Sequence, residues 1–556
     1  MTQVAPTRWE LPSSSELSAK LDFPVRWNKI SVLISAAMLI NIASMPLKAY
    51  LSEQVPWRAS EAPEPVFANY SAFNAWYLAS NQARFNRQTL AHASSYYVDD
   101  STRTDVIRVA LDMRTSQPES SCISFLLGLP GLIFYSGGFW NVLCSFEAID
   151  HRNATLGDAL RWDKVGACQY GKFASVLVGR QCVWLTTGND LTGFDAPGVY
   201  TLTFTFQLGR FYNWLWCKFA YRVGLTCYVL RVMWRAYYRH CLHLARTLTT
   251  HGLQRRTPPC TSFEIVVGDP TALVLLNPIV STAFTLDIWF SMEYMGIAMV
   301  RATQFVDLYT LFLAFLYFSR TVWFAYLALA FTSRCLKRYH KEHWFVEVDP
   351  TIVAVCVAVY SIPVDYLQAN TVVVYLYYYL FRLPSSTDMQ DHQVDVLFGC
   401  VLLTLLIAAV PIVYGFARAR CSRKATTSVP YASLDYNSVK NRLLFKLVRS
   451  ITVRRGLVDE SGGSLYAAFA HDARYKMHPT TSLRSVDCFV LTKARGRTTH
   501  LERLSLLSSL DRLGSEAALA ISVEKAATAE RTFAKLAAHK SSFQLALGNE
   551  PSAWCS

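Results

Sequence analysis

Seven ionisable residues stand inside or beside long apolar stretches of this chain: Lys218, Arg222, Asp287, Glu293, Asp307, Arg320 and Asp365. Charge in such surroundings is expensive to bury, so these side chains must meet opposite charges or face a wet cavity. A helical rise of about 1.5 Å per residue brings Lys218, Arg320, Asp365 and Asp287 to depths of about 18–26 Å from the cytoplasmic helix ends. Arg320 is therefore expected to pair with Asp365 or Asp287, with Lys218 nearby. Glu293 and Asp307 fall closer to the outer surface. Such a cluster can fix helix packing as a static pair, or it can line a path for an ion or solute.

Other constellations offer less chemistry. Tyr135-Ser136-Gly137-Gly138 resembles part of a serine nucleophile elbow, but the glycine that should precede the serine is out of register. His240/His243 and His340/His343 are spaced one helical turn apart, as metal-binding pairs can be. Both lie in basic stretches, where protonation and repulsion oppose binding, so no metal site is assigned. Phosphate-cradling and dinucleotide-binding glycine motifs are absent from the sequence. No catalytic residue and no cofactor is expected, and enzymatic activity is not.

The elements that carry the charges read as membrane helices. Of 556 residues, 52% are hydrophobic and only 17% charged, against roughly a quarter charged in ordinary soluble proteins. The expected fold is an α-helical multi-pass membrane protein of about six spans. An α+β extracytoplasmic domain sits between spans 1 and 2, and a small α-rich cytoplasmic domain closes the chain. Residues 1–29 form a cytoplasmic tail and 30–51 a signal anchor. Residues 52–210 are the extracytoplasmic domain, 211–230 the second span, and 231–268 a basic amphipathic helix and loop. Within 269–417 the remaining spans fall near 271–290, 308–332, 351–369 and 396–417, and residues 418–556 are the basic tail domain. The short run 371–381 is either re-entrant or a continuation of the fifth span. Basic clusters around Arg235, Arg338 and Arg420 then share the cytoplasmic side with both termini.

Two features place 52–210 in an oxidising compartment. The sequons at Asn69 and Asn153 both fall there, and so do Cys122, Cys144, Cys168 and Cys182, as disulfide candidates of open connectivity. Its final stretch, VYTLTFTFQL, alternates with period two and predicts a strand with one buried face.

From residue 417 to the end, 22 Lys+Arg against 11 Asp+Glu leave +11 of the chain's +14 net charge. This excess predicts contact with anionic lipid at the cytoplasmic face. No zinc-finger, helix-turn-helix or RNA-binding signature accompanies it, so nucleic acid is not expected as a partner.

Asp-Pro-Thr occurs twice before apolar runs, at Asp269 and Asp349. Each aspartate is a candidate helix N-cap with proline at the first helical position. The stretches 268–341 and 348–424 are consistent with two copies of one hairpin. Function is expected to be receptor- or sensor-like, with an unknown extracytoplasmic ligand or partner, in the plasma membrane or an endomembrane. The alternatives are a transporter or channel using the charges of spans 2–5, and a structural or assembly protein.

Overall fold

A computed structural model describes residues 23–58, 65–90, 95–113, 122–150, 166–209, 212–252, 261–302, 308–371, 392–422, 459–462 and 487–506, isolated positions aside. It also describes parts of 439–450 and short strands between 521 and 555. The fold is mixed α/β, with a layer of helices between two sheets.

The first sheet has six strands in the order β2-β3-β6-β5-β4-β8. They are β2 (Tyr96–Asp99), β3 (Thr104–Asp112), β4 (Gly166–Phe173), β5 (Val176–Thr187), β6 (Val199–Leu208) and β8 (Gln393–Asp395). Helix α2 (Tyr70–Arg84) packs Phe73 and Tyr77 against Trp184 and both cysteines of β4 and β5. The short helix α3 (Cys122–Leu126) and α4 (Gly137–Asp150) add Phe139, Leu143 and Phe146 to the main core. Strand β6 pairs on both edges, with β3 and β5. Its threonines 201, 203 and 205 are as buried as its phenylalanines. The expectation of one buried face fails because this strand is central and covered on both sides. Two disulfides form, Cys122–Cys144 and Cys168–Cys182.

The second sheet joins parts far apart in sequence. Strand β1 (Val25–Trp27) lies parallel to β7 (Thr261–Val267). β7 pairs with β10 (Asp487–Ala494), and β10 pairs with β11 (Arg497–Leu506). β9 (Asp459–Gly462) and β15 (Trp554–Cys555) add to the far edge of β11. The strands β12 (Ile521–Glu524), β13 (Phe533–Ala538) and β14 (Gln544–Gly548) continue it. This overturns the α-rich tail domain. The leucines of THLERLSLL suit a helix by propensity, but Leu501 and Leu504 pair with Leu491 and Cys488 of β10, Leu506 pairs with Trp554 of β15, and all three are buried.

The helices of the middle layer are α1 (Lys29–Ala43), α5 (Tyr212–Met233), α6 (Arg239–His251), α7 (Thr271–Leu275), α8 (Pro278–Trp289), α9 (Met292–Ala302), α10 (Leu308–Phe318), α11 (Val322–Arg338), α12 (Pro350–Asn370) and α13 (Leu397–Ser422). The expected six-span helical membrane protein is contradicted here. Among the described residues, two helices are long and apolar enough to cross a membrane: Leu308–Arg338, which runs through α10 and α11, and Leu397–Cys421. A third candidate needs α1 and the stretch Leu47–Arg58 to count as one span despite a 73° bend.

Two of the other expected spans fail for separate reasons. α5 carries Lys218 and Arg222, which are buried inside the protein. The stretch 271–290 breaks where Asn277 caps α8 and Pro278 occupies its first turn. α12 runs from Pro350 to Asn370 with Pro363 inside it, and its described apolar part is Pro350–Tyr360. Residues 372–381 lie outside the described residues.

The basic helix expected over 231–246 is also altered. Trp234–Tyr238 is a π-helical turn, which shifts the phase of the helix. Trp234 is 52% exposed. Tyr237 and Cys241, with Leu244 and Leu248, cover the second sheet.

Candidate functional site: a buried cluster of six charges

Glu53 is the hub. It sits between two short 3-10 turns, Leu47–Leu51 and Pro56–Arg58, that follow the 73° bend after α1. The bend turns this segment back onto α5, where Tyr50 and Trp57 pack edge-on or tilted against Phe219. The carboxylate thereby enters the helical layer and is 5% exposed.

Arg222, on α5, is fully buried and grips Glu53 with two parallel bonds of 2.7 and 2.8 Å. Its Nε donates to Asp287 of α8 at 2.7 Å, and it donates again to the Ser291 hydroxyl at 2.8 Å. Its guanidinium also lies 4.7 Å from the Tyr50 ring centre. Arg320 donates to Glu53 at 3.2 Å and to Asp287 on its other oxygen. It occupies a 3-10 turn, Ser319–Thr321, at the middle of the 31-residue candidate span. Tyr317 donates its hydroxyl to Glu53 at 2.8 Å. Lys218, one turn from Arg222 on α5, bonds Glu293 at 2.7 Å and lies 3.8 Å from Glu53.

The arithmetic is balanced: Lys218, Arg222 and Arg320 against Glu53, Asp287 and Glu293 give no formal net charge. Isolated buried charges would be intolerable. Arranged as a neutral, multiply hydrogen-bonded set, they can persist away from water.

The cluster brings together five of the seven charges singled out in the sequence. Arg320 meets Asp287, with Lys218 across the cluster. Asp307 lies outside the described residues, and so does the side chain of Asp365. Glu53 escaped sequence reading because it stands just past an apolar run, where a carboxylate ordinarily reads as a solvated flank. The available signal was Pro46 ahead of a segment with Tyr50 and Trp57 on either side of the acid.

Around the cluster, the helices are clasped to both sheets. On the side of the six-stranded sheet, Arg301 of α9 donates to Asp105 of β3 at 2.9 Å and to the Tyr96 hydroxyl at 2.7 Å. Burial first, then the neighbouring Asp105 charge, pushes the Tyr96 phenol far above its ordinary pKa, so it remains a donor. Asp395 ends β8 and accepts from the backbone N–H groups of Ala174 and Ser175, at 3.2 and 2.9 Å. Both of those turn residues are left-handed, with φ of 49° and 67°. The same carboxylate accepts from Leu397 N at the start of α13, so one side chain joins sheet and helix.

On the other side, Asn28 caps α1 by accepting from Ser31 N and donates to Glu264 of β7 at 2.7 Å. The two Asp-Pro-Thr stretches make the same local turn, each aspartate accepting from the threonine N–H two residues on. Asp349 is the N-cap of α12, whereas Asp269 lies one residue before the cap of the five-residue α7. They are tied to each other by adjacent residues. Val439 N–H donates to Asp349 at 2.8 Å, and Lys440 pairs with Asp269 at 2.5 Å. The helices that follow differ, broken after Leu275 in one and continuous from Pro350 to Asn370 in the other.

The remaining sequence candidates take ordinary places. Ser136 is buried at the start of α4, with its N–H on Gln169 at 3.0 Å. Asn69 is exposed and caps α2 by accepting from Ala72 N. Asn153 lies outside the described residues. His340 and His343 are exposed, and the described residues hold no group of three or more His, Cys, Asp or Glu suited to a metal ion. No family model, curated protein or solved structure matches the chain.

Proposed function

We propose that this is a membrane-bound, receptor-like protein in which a disulfide-bonded outer domain is coupled through a charge-locked helical layer to the second sheet. The observation that carries this reading is the closed cluster around Glu53. Five of its six charged side chains are at most 5% exposed and Glu293 is 16% exposed, and each charge is matched by an opposite one. An ion or solute path needs water at its charges, whereas a mechanical lock needs them dry and multiply bonded. The lock also draws on four separate segments: the bend after α1, α5, the α8–α9 region and the α10–α11 junction. β6 runs into α5 across only a few residues, so displacement of the outer sheet reaches the lock directly.

Purified protein in liposomes is expected to pass no ions, and Arg320→Ala is expected to leave that unchanged. Ion flux in the wild type that Arg320→Ala abolishes would replace this reading with a transporter.

A further inference from the structure

The two long apolar helices end side by side in a patch that carries its own chemistry. α11 ends at Arg338, and the chain continues through Lys341 and a 3-10 turn ending at Trp344. α13 passes this turn on its way to Arg418 and Arg420. Val346 N–H donates to the Gly415 carbonyl at 3.2 Å, and the Phe345 and Phe416 rings meet at 5.2 Å. These contacts set the exposed Arg338, Lys341 and Trp344 beside the end of α13, where the exposed Tyr414 and Arg418 share one face and the exposed Arg420 lies on another.

Within the patch the cations lean on aromatic rings. Lys341 lies 4.0 Å from the Trp344 ring centre, and Arg418 donates to the Tyr414 hydroxyl at 2.6 Å. Trp344 is 42% and Tyr414 48% exposed, at the ends of helices whose outer faces expose Phe331, Leu405 and Val413. Amphipathic aromatic rings at the end of an apolar belt suit a membrane interface. Arginines there present forked donors to phosphate, and lysine supplies a compact charge.

We propose that this patch binds the headgroup of an anionic glycerophospholipid, with Trp344 and Tyr414 against the upper acyl chains. The occupant follows from charge complementarity and from continuity with the apolar belt. A soluble anion would use the cations but gain nothing from the rings. The proposal rests on the membrane location above but not on coupling between the sheets.

The test is saturation binding of fluorescent phosphatidylglycerol to the full chain in dodecyl maltoside micelles. Fluorescent phosphatidylcholine and competition by inorganic phosphate are parallel arms. Saturable phosphatidylglycerol binding is expected, with no binding of phosphatidylcholine and no displacement by phosphate. The variant Lys341→Gln/Arg418→Gln/Arg420→Gln should bind about tenfold or more weakly, since each basic group near an anionic surface counts substantially. Lys48→Gln/Arg58→Gln/Arg87→Gln, with charges removed elsewhere, should bind as wild type. Because the patch is exposed, the first variant should unfold at the wild-type temperature, and Lys341→Gln alone gives a smaller loss as a second reading. Equal binding by the patch variant, equal loss in the control variant, binding of phosphatidylcholine, or displacement by inorganic phosphate would each overturn the proposal.

Discussion

At the scale of residues, the cluster makes a prediction that separates a paired charge from an orphaned one. Glu53→Gln leaves Arg222 and Arg320 short of a counter-charge in a dry layer. It should destabilise the protein by about 3–5 kcal/mol, the usual cost of breaking a buried pair. Removing both partners, as Glu53→Met/Arg222→Met, leaves Lys218–Glu293 and Arg320–Asp287 intact and should cost less than Glu53→Gln alone. Denaturant unfolding of the three proteins checks this, and a double variant worse than the single would show that Glu53 and Arg222 do not act as a pair.

His240, outside the apolar helices, supplies a pH prediction. Burial first, then the nearby His243 and Arg239 charges, lowers its pKa below the ordinary 6.5. The unfolded chain thus takes up this proton before the folded one does. The contribution of His240 is fully present above pH 6.5 and is lost as pH falls below it. Unfolding midpoints at pH 7.5 and 5.5 should differ in that sense, and His240→Gln should flatten the difference.

Elements depend on contacts that no single segment can encode. The Phe345 ring lies where a side chain at Gly415 would start, so a Cβ there would overlap it. Gly415→Leu should force α13 away from the turn at Glu342–Trp344 and cost about 1–3 kcal/mol, the range for overpacked sites. Thermal unfolding in neutral micelles measures it. Beside the six-stranded sheet, Cys122–Cys144 spans 22 residues and joins α3 to α4. Closing a loop of that size restricts the unfolded chain, so Cys122→Ala/Cys144→Ala should lose about 3 kcal/mol. Urea unfolding under oxidising conditions gives the value, and a change below a few tenths of a kcal/mol would assign the bond no stabilising role.

For the whole molecule, the proposed coupling predicts that damage at the lock is felt on both sides of the helical layer. Glu53→Gln should speed hydrogen exchange in β6 and also in β10, although neither strand contains a cluster residue. Faster exchange confined to α5, α8 and the α10–α11 junction would leave the helical layer an anchor and nothing more. The Arg301 and Asp395 clasps and the Asn28–Glu264 bond are among the routes by which the sheets are held to the helices.

Much of the local structure is legible without coordinates. The period-two run VYTLTFTFQL is a strand, the four cysteines between 122 and 182 form two disulfides, and Asp349-Pro350 starts a helix, because each signal is short-range. The apolar run ending at Arg420 likewise yields a helix fit to cross a membrane. Composition alone misjudged the number of such helices. An apolar stretch buries equally well in lipid or against the rest of the protein, and 271–302 takes the second course as three short helices, with Phe284 stacked on Trp323. The leucine-rich strand β11 and the Glu53 hub were decided by tertiary structure alone. β11 needs the β10 edge, and Glu53 needs the bend after α1, before either burial becomes favourable. The sequence determined which charges had to find partners, since they stand among apolar neighbours. Only the fold could supply the partner, because Glu53 lies 169 residues from Arg222 and 267 from Arg320.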